Sequence, residues 1–221
     1  TVALAELDGL GAPNAYGQVP FVDQNPENPN EAYWATVDSM VGIAARKGLY
    51  IALLPTWGDK VAQGSGKGPQ IFRRDNTDVA YRYARWIAHR YAHRPNVLWM
   101  LGGDRAPVHT LEKEGVPATT DYRPIWRNIA KGILEESKFA FITYHTSGGA
   151  EAATSQHIHH EVWLQMNTVQ SGHGGGHDVP VWDWIARDYA LTPPKPTLDA
   201  EPNYEDHPVN PWPVWDPASG Y

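Results

Sequence analysis

Two carboxylates stand at the ends of strand-like segments and could perform acid–base chemistry as a pair. Asp104 ends the run Val-Leu-Trp-Met-Leu-Gly-Gly-Asp, and Glu201 ends the run Pro-Thr-Leu-Asp-Ala-Glu. Cleavage of a glycosidic bond needs two such groups, because one acid protonates the leaving oxygen while a second carboxylate attacks or stabilises the anomeric carbon. Both residues are therefore predicted to be catalytic. The structural alternative for Asp104 is a turn or a helix cap after two glycines, and Glu205 competes with Glu201 for a role in the site.

Other polar and aromatic side chains follow the same strand-like segments and are predicted to contact a substrate. In α/β proteins with parallel strands, binding groups gather at the C-terminal ends of the strands and on the loops that follow. The predicted substrate-binding residues are Glu6, Trp57, Asp59, His145, Gln170, His173 and Glu205. Asp199 shares the strand face of Glu201, because side chains alternate along a strand. It is predicted to be a buried structural partner of a His or an Arg.

Arg105 directly follows the proposed proton donor and complicates its chemistry. A neighbouring cation favours the charged form of a carboxyl group, whereas a proton donor needs the neutral form. We therefore predict that the Arg105 side chain points to the other side of the strand end, away from the Asp104 carboxyl group.

The histidines could instead bind a catalytic metal. His157, His159 and His160 are close together, and His173 and His177 flank a run of glycines. Zinc requires such ligands to converge, but the first cluster precedes its predicted strand and the glycine run does not fix a ligand. No metal and no cofactor are therefore expected. A metal-dependent barrel of the amidohydrolase type remains an alternative.

The elements that position these residues alternate between apolar strand-like runs and amphipathic helical stretches, a pattern typical of parallel α/β proteins. The predicted strands are Thr1–Leu7, Leu49–Thr56, Asn96–Gly102, Phe139–His145, Glu161–Val169 and Pro196–Glu201. The predicted helices are Glu31–Lys47, Asn76 or Thr77 to Tyr91, Asp121–Ser137 and Val181–Ala190. A closed (β/α)₈ TIM barrel needs eight units. The fold class is thus predicted to be a TIM barrel fragment covering strands two to seven, with residues 1–221 as a single incomplete catalytic domain.

Composition narrows the class of partner. The formal net charge is −7 without a block of like charges, which argues against nucleic acid or a membrane surface as partner. The chain has 10 Trp and 11 Tyr against 4 Phe. Such amphipathic rings suit stacking on a carbohydrate, although they could equally fill a large core. The oligomeric state is not predictable from these features, and any targeting sequence is expected to precede Thr1.

Four segments resemble the apiosidase-like glycoside hydrolases. They are Leu-Ala-Glu-Leu-Asp-Gly-Leu (4–10), Leu-Pro-Thr-Trp-Gly-Asp-Lys (54–60), Trp-Met-Leu-Gly-Gly-Asp-Arg (99–105) and Asp-Ala-Glu-Pro-Asn-Tyr-Glu (199–205). The Gly-Gly-Asp and Asp-Ala-Glu-Pro elements are fairly specific when taken together. The segments are similar to those of glycoside hydrolase family 140, in the clan of retaining (β/α)₈ barrels.

The resemblance implies a bacterial glycosidase that acts on plant cell-wall polysaccharide side chains, in the periplasm or outside the cell. It assigns Asp104 as acid/base after the fourth strand and Glu201 as nucleophile at the seventh. The clan more often uses a Glu after an Asn as acid/base, so Asp104 follows the narrower family pattern. A carbohydrate-binding barrel without activity is a further alternative, but it would be expected to have lost one of the two carboxylates.

Overall fold

A computed structural model describes residues 1–62, 70–113, 116–149, 152–172 and 180–204. The chain is an α/β protein with two compact units, Thr1–Ile142 and Thr143–Tyr221. The helices of the described residues are α1 Glu31–Arg46, α2 Thr77–Tyr91, α3 Arg123–Glu136, α4 Ser155–Ile158 and α5 Val181–Tyr189. The strands are β1 Ile51–Leu53, β2 Val97–Gly102, β3 Val108–Lys113, β4 Val116–Asp121, β5 Ile142–His145, β6 Asn167–Val169 and β7 Thr197–Asp199. None of the described helices has the length and apolar character needed to cross a bilayer.

The predicted signals at both ends of the first helix are confirmed. The side chain of Asn30 accepts a hydrogen bond from the Ala32 amide at 3.3 Å, which satisfies one of the free N–H groups of the first turn. Gly48 follows the helix with a φ of +71°, a left-handed conformation that glycine adopts without steric cost. Between these ends, Trp34 and Val41 are fully buried, so α1 packs one apolar face against the core of the first unit.

An aromatic cluster forms much of that core. Trp34 contacts Trp86 edge to face with ring centroids 4.8 Å apart, and Phe72 stacks on Tyr83 at 5.2 Å. The Tyr83 hydroxyl is buried and donates to the Pro55 carbonyl at 2.6 Å. A substantial part of the Trp and Tyr content therefore has a structural role, as the alternative interpretation of the composition predicted.

The parallel strands of the first unit are shorter than the sequence pattern predicted. β1 and β2 pair in parallel, with Ile51 opposite Val97 and Leu53 opposite Trp99. The predicted strand Thr1–Leu7 is wrong as a strand, because only a single parallel bridge joins Val2 to Leu54. Its backbone bends already at Ala3 and Leu4 and turns at Leu7, where φ is +58°.

A β-hairpin between β2 and α3 was not predicted. β3 and β4 are antiparallel, with Val108 opposite Asp121 and Thr110 opposite Thr119. The Thr110 and Thr119 hydroxyls are 2.9 Å apart and hydrogen-bonded across the pair. The β-branched residues on either side of Glu114-Gly115 are the sequence signal that could have revealed this hairpin.

In the second unit, β6 pairs in parallel with β7, with Asn167 opposite Thr197 and Val169 opposite Asp199. The predicted strand Glu161–Val169 is correct only over its last residues. Its first part is a turn region in which Val162 is almost fully exposed. The Lys195 ammonium group donates to the carbonyls of Glu161 and Leu164 at 3.2 and 2.6 Å, and burial lowers the pKa of Lys195. The carbonyls of Glu161 and Leu164 thus bind Lys195, and the strand begins only at Asn167.

The close crossing of α2 and α3 depends on Gly132, and this leads to a testable prediction. A Cβ at Gly132 would lie 2.6 Å from the Tyr81 carbonyl oxygen and 2.8 Å from the Arg85 nitrogen. We expect Gly132→Ala to lower the free energy of unfolding by about 1–3 kcal/mol through overpacking, measured by urea denaturation.

Gly42→Ala is the matched control for Gly132→Ala. In α1, a Cβ at Gly42 would meet only the Arg46 side chain, at 3.5 Å. The higher helix propensity of Ala should therefore raise stability by up to about 1 kcal/mol. Equal effects of the two substitutions would contradict the close helix contact.

Candidate active site

The turn after β2 places Asp104 in a left-handed backbone conformation. Gly102, Gly103 and Asp104 have φ values of +86°, +94° and +53°. The two glycines adopt these values freely, whereas the left-handed conformation costs a residue with a Cβ roughly 1–2 kcal/mol. Strain of this kind at a polar residue is often found at functional sites, and here it sets the direction in which the Asp104 carboxyl group leaves the strand.

Trp57 and Gly58 pack directly on this turn. The Gly58 amide donates to the Gly103 carbonyl at 3.1 Å. A Cβ at Gly103 would lie 2.9 Å from two Trp57 ring atoms, and a Cβ at Gly58 would lie 2.6 Å from the Gly103 oxygen. The two loops can approach this closely because both positions lack a side chain. Trp57, a predicted substrate contact, is thus held against the turn that carries Asp104.

Hydrogen bonds to the Asp104 carbonyl and to Glu6 define the direction of the Arg105 side chain. Its Nη1 donates to the backbone carbonyl of Asp104 at 2.7 Å, and its Nη2 donates to Glu6 Oε1 at 3.1 Å. Glu6, a predicted substrate contact, therefore balances the charge of Arg105. The guanidinium group also stabilises the Asp104 peptide through its carbonyl oxygen.

Asp59 is buried next to Lys60, and the two form an ion pair at 2.8 Å with almost no solvent exposure. Asp59 Oδ2 also accepts a hydrogen bond from the Leu7 amide at 2.9 Å. A sugar hydroxyl could reach the Asp59 carboxylate only by replacing these bonds. The predicted substrate contact of Asp59 is untested, but its present partners belong to the protein.

A cavity of about 450 Å³ lies between the loop after β1 and the β3–β4 hairpin. Arg73 forms two hydrogen bonds with Asp75, at 3.1 and 2.9 Å. Many potential donors and acceptors face the cavity, which suits a ligand rich in hydroxyl groups. None of the lining residues was among the substrate contacts predicted from the sequence. The lining residues are Val61, Gln70, Arg73, Arg74, Asp75, Thr120 and Tyr122.

In the second unit, Glu201 is 9% exposed and lies just after β7. Its Oε2 is 3.1 Å from His145 Nε2, at the end of β5. Its Oε1 accepts a hydrogen bond from the Tyr204 hydroxyl. The Gly172 amide donates to the Glu201 backbone carbonyl at 2.9 Å. Each carboxylate oxygen thus has a polar partner, and the group is fixed in orientation.

Three residues singled out from the sequence lie near Glu201 in sequence or in space, and one prediction about them is wrong. His145, expected to contact a sugar hydroxyl, is buried against the Glu201 carboxylate. Asp199 accepts hydrogen bonds from the Ser171 hydroxyl and amide, so the predicted His or Arg partner is wrong. Gln170 is buried, and its Oε1 has no hydrogen-bond partner among the residues that the structure describes.

The histidine cluster before β6 has a structural role at His159. His159 Nε2 is 3.0 Å from the Pro193 carbonyl, and Nδ1 is 3.1 Å from Asn167 Nδ2. A carbonyl only accepts and an amide nitrogen only donates, so Nε2 carries the proton. Both ring nitrogens are therefore engaged by protein groups. His173, His177 and Glu205 lie outside the described residues.

The close contact at Gly103 gives a second prediction. Gly103→Ala should lower the free energy of unfolding by about 2–5 kcal/mol, because it combines left-handed strain with a clash against Trp57. The reference variant is Gly48→Ala, with a φ of +71° but nothing within 4 Å of the added Cβ. It should cost only about 1–2 kcal/mol. Urea denaturation of both variants measures the difference, and equal costs would show that Trp57 does not restrict Gly103.

Comparisons with known proteins identify the family. The sequence model described as "Apiosidase-like, catalytic domain" matches residues 1–220. The chain is similar to the crystal structure of a glycoside hydrolase family 5 protein from Bacteroides vulgatus ATCC 8482. The identity is 26% and the TM-score 0.72, over 93% of this chain and 42% of that chain. It is also similar to a solved protein described as a glycoside hydrolase, at 28% identity and a TM-score of 0.74, over 95% of this chain and 45% of that chain.

The chain spans less than half the length of these two solved chains. No curated protein matches it. The match of the family over nearly every residue, together with the glycoside hydrolase neighbours, shows that the chain belongs to the apiosidase-like catalytic-domain family.

Proposed function

We propose that the protein is a glycosidase that cleaves side chains of plant cell-wall polysaccharides, with Asp104 as acid/base and Glu201 as nucleophile. The main support is the buried Glu201 carboxylate after β7, whose two oxygens are oriented by His145 and Tyr204. Membership of the apiosidase-like family and the carbohydrate chemistry of its solved neighbours support the same conclusion. The substrate is a carbohydrate, and the reaction requires no metal or cofactor.

The reaction proceeds in two displacements with net retention of configuration. In the first, Glu201 attacks the anomeric carbon while Asp104 gives its proton to the glycosidic oxygen, so that the bond to the leaving sugar breaks. In the second, the Asp104 carboxylate takes a proton from water, and the water oxygen attacks the anomeric carbon and releases Glu201. Retention requires the two carboxyl groups to lie roughly 5–5.5 Å apart.

The surroundings of each carboxylate suit its role. A nucleophile must hold one orientation, and hydrogen bonds from His145 and Tyr204 fix Glu201 while leaving lone pairs on both oxygens. The proton donor must present its carboxyl group to the glycosidic oxygen, and the left-handed turn fixes the Asp104 backbone. Trp57 beside this turn would stack on the C–H face of a sugar ring.

The chain supplies strands two to seven of a (β/α)₈ barrel, with residues 1–221 as a single incomplete catalytic domain. The segment around Val2 is strand two in this assignment, β2 is strand four and β7 is strand seven. The alternation of parallel strands with helices supports this assignment. So does the match to less than half of each solved relative. The acid/base and the nucleophile then follow strands four and seven, as the family resemblance implies.

The two catalytic roles can be separated by the leaving group. Asp104→Ala should reduce kcat on natural glycosides by about 10²–10⁴-fold, because proton donation is lost. It should reduce glycosylation much less for a nitrophenyl glycoside, whose phenol leaves without help. Glu201→Ala should abolish turnover on both substrates. The measurement is kcat and kcat/KM of the intact enzyme and its variants on both substrate types, with kcat/KM reporting glycosylation.

Azide distinguishes the roles by product configuration. With Asp104→Ala, azide should attack the accumulated glycosyl-enzyme without base assistance and give a glycosyl azide of retained configuration. With Glu201→Ala, any azide product should be inverted, because azide attacks where the carboxylate did. An exchanged pattern would mean exchanged roles. Full activity of both variants would exclude both residues, and a wild-type protein that binds the glycan without turnover would favour the carbohydrate-binding alternative.

Tyr204 is expected to support the nucleophile. Tyr204→Phe removes a hydrogen bond to a charged group, of the kind that contributes about 1.5–3 kcal/mol. We expect kcat to fall about 10- to 100-fold, with little change in KM, in steady-state assays. The matched control is Tyr189→Phe, since Tyr189 is largely exposed on α5. Equal activity of the two variants would show that the Tyr204 hydroxyl does not assist Glu201.

A further inference from the structure

The buried ion pair Asp59–Lys60 takes no part in the proposed reaction, yet its burial costs free energy. Lys60 Nζ lies 2.8 Å from both Asp59 oxygens, and the two side chains are 0% and 1% exposed. Burying two charges costs several kcal/mol per ion, which their attraction repays only with good geometry and further hydrogen bonds. Stability alone is thus a weak explanation, and the remaining hydrogen bonds of the pair show what it holds.

Both members of the pair bind the same residue of another loop. The Leu7 amide donates to Asp59 Oδ2 at 2.9 Å, and Lys60 Nζ donates to the Leu7 carbonyl at 3.1 Å. Leu7 has a φ of +58°, a conformation that costs a leucine roughly 1–2 kcal/mol. The ion pair therefore holds both polar backbone atoms of one strained residue.

Leu7 is adjacent to Glu6, and Glu6 leads to the proposed proton donor. The Glu6 carboxylate binds Arg105 Nη2 at 3.1 Å, and Arg105 Nη1 binds the Asp104 carbonyl at 2.7 Å. Arg105 is 8% exposed, so its guanidinium group is held rather than free in solvent. The contacts run without a gap from the buried pair to the peptide that carries Asp104.

We infer that Asp59, Lys60, Glu6 and Arg105 are positioning residues that fix the left-handed backbone of Asp104 and thereby aim its carboxyl group for proton transfer. The inference rests on the proposed role of Asp104. It gives Glu6 and Asp59 a different role from the substrate contact that the sequence predicted. Arg105 acts on the Asp104 peptide, Glu6 holds Arg105, and the ion pair holds Leu7 next to Glu6.

The two roles of Glu6 differ in what its removal changes. A residue that binds sugar contributes to KM for every substrate that carries the sugar. A residue that aims the acid contributes to kcat/KM, which reports the first, bond-breaking step, only when the leaving group needs a proton. The dependence of rate on leaving-group pKa therefore separates positioning from binding, and a purely structural role would not alter that dependence.

The first experiment uses Glu6→Ala in the intact enzyme. Glu6 is 40% exposed, so the variant should fold. We expect kcat/KM on natural glycosides to fall about tenfold, with kcat/KM for a nitrophenyl glycoside nearly unchanged because its first step needs no proton. Across a series of aryl glycosides, the rate should depend more steeply on the leaving-group pKa than in the wild type. Glu6→Gln should show a smaller effect, because its amide oxygen still accepts from Arg105.

Glu27→Ala is the matched control. Glu27 is 45% exposed and forms an ion pair with Arg82 in the same unit, so the change in charge and exposure is equivalent. It should leave the leaving-group dependence unchanged. A fall in kcat/KM of equal size for all substrates in Glu6→Ala would overturn the inference in favour of sugar binding. A wild-type leaving-group dependence would overturn it as well.

The second experiment addresses the buried pair. Lys60→Met alone would leave a buried carboxylate unpaired, so the test uses Asp59→Asn combined with Lys60→Met, with thermal unfolding as a check on folding. This double variant should reproduce the kinetic pattern of Glu6→Ala. Adding Glu6→Ala to it should cause little further loss, because the contacts act in series. Fully additive losses would separate the ion pair from Glu6. If the double variant fails to fold, Glu6→Ala and Glu27→Ala still decide the inference.

Failure of the inference can be told apart from failure of the proposed function. If Asp104 is the acid but is not positioned through Glu6, only Asp104→Ala will change the leaving-group dependence. If Asp104 is not the acid, neither Asp104→Ala nor Glu6→Ala will change it.

Discussion

The contact between two loops of the first unit, at Gly103 and Trp57, is the constraint on which the candidate acid depends. The indole ring occupies the volume that a side chain at Gly103 would need, and the Gly58 amide binds the Gly103 carbonyl at 3.1 Å. Such an approach is open only to glycine, which also accepts the positive φ required there. The chain can then continue into a left-handed Asp104 at a cost that the surrounding contacts offset. The three residues of Gly-Gly-Asp thus act together, because the conformation of Asp104 depends on the two glycines before it.

The orientation of the Glu201 carboxylate depends on hydrogen bonds to its side chain. His145 and Tyr204 bind its two oxygens, and its backbone carbonyl accepts from Gly172. A carboxylate that is 9% exposed needs such partners, because an isolated buried charge is costly. The left-handed turn sets where the Asp104 side chain leaves the backbone, and direct polar contacts orient the Glu201 carboxylate. These arrangements suit the proposed roles. Asp104 as acid/base must gain and lose a proton, and Glu201 as nucleophile must keep one orientation.

Much of this arrangement was predictable from local sequence signals. The caps at Asn30 and Gly48 and the extents of α1, α2 and α5 agree with the structure within one residue. The limits of the strands were less predictable, because an apolar run such as Glu161–Val169 can pack without pairing, as its first part does beside Lys195. The contact of Arg105 with Glu6 also could not be predicted from the local sequence, because it joins residues 99 positions apart. The candidate site residues could be predicted from their residue type and their position at the end of a strand. Their hydrogen-bond partners could not, because those depend on three-dimensional packing.

The aromatic content shows why composition could only suggest a ligand. Trp34, Tyr83 and Trp126 are at most 1% exposed, so they stabilise the core and contact no substrate. Trp57 differs because it lies against the turn of Asp104, where a ring can serve packing and substrate binding together. A count of Trp and Tyr cannot separate core packing from substrate binding, since both roles suit the same large amphipathic ring. Position relative to the strand ends separates them, and for that reason the motif around Trp57 is more informative about function than the total number of tryptophans.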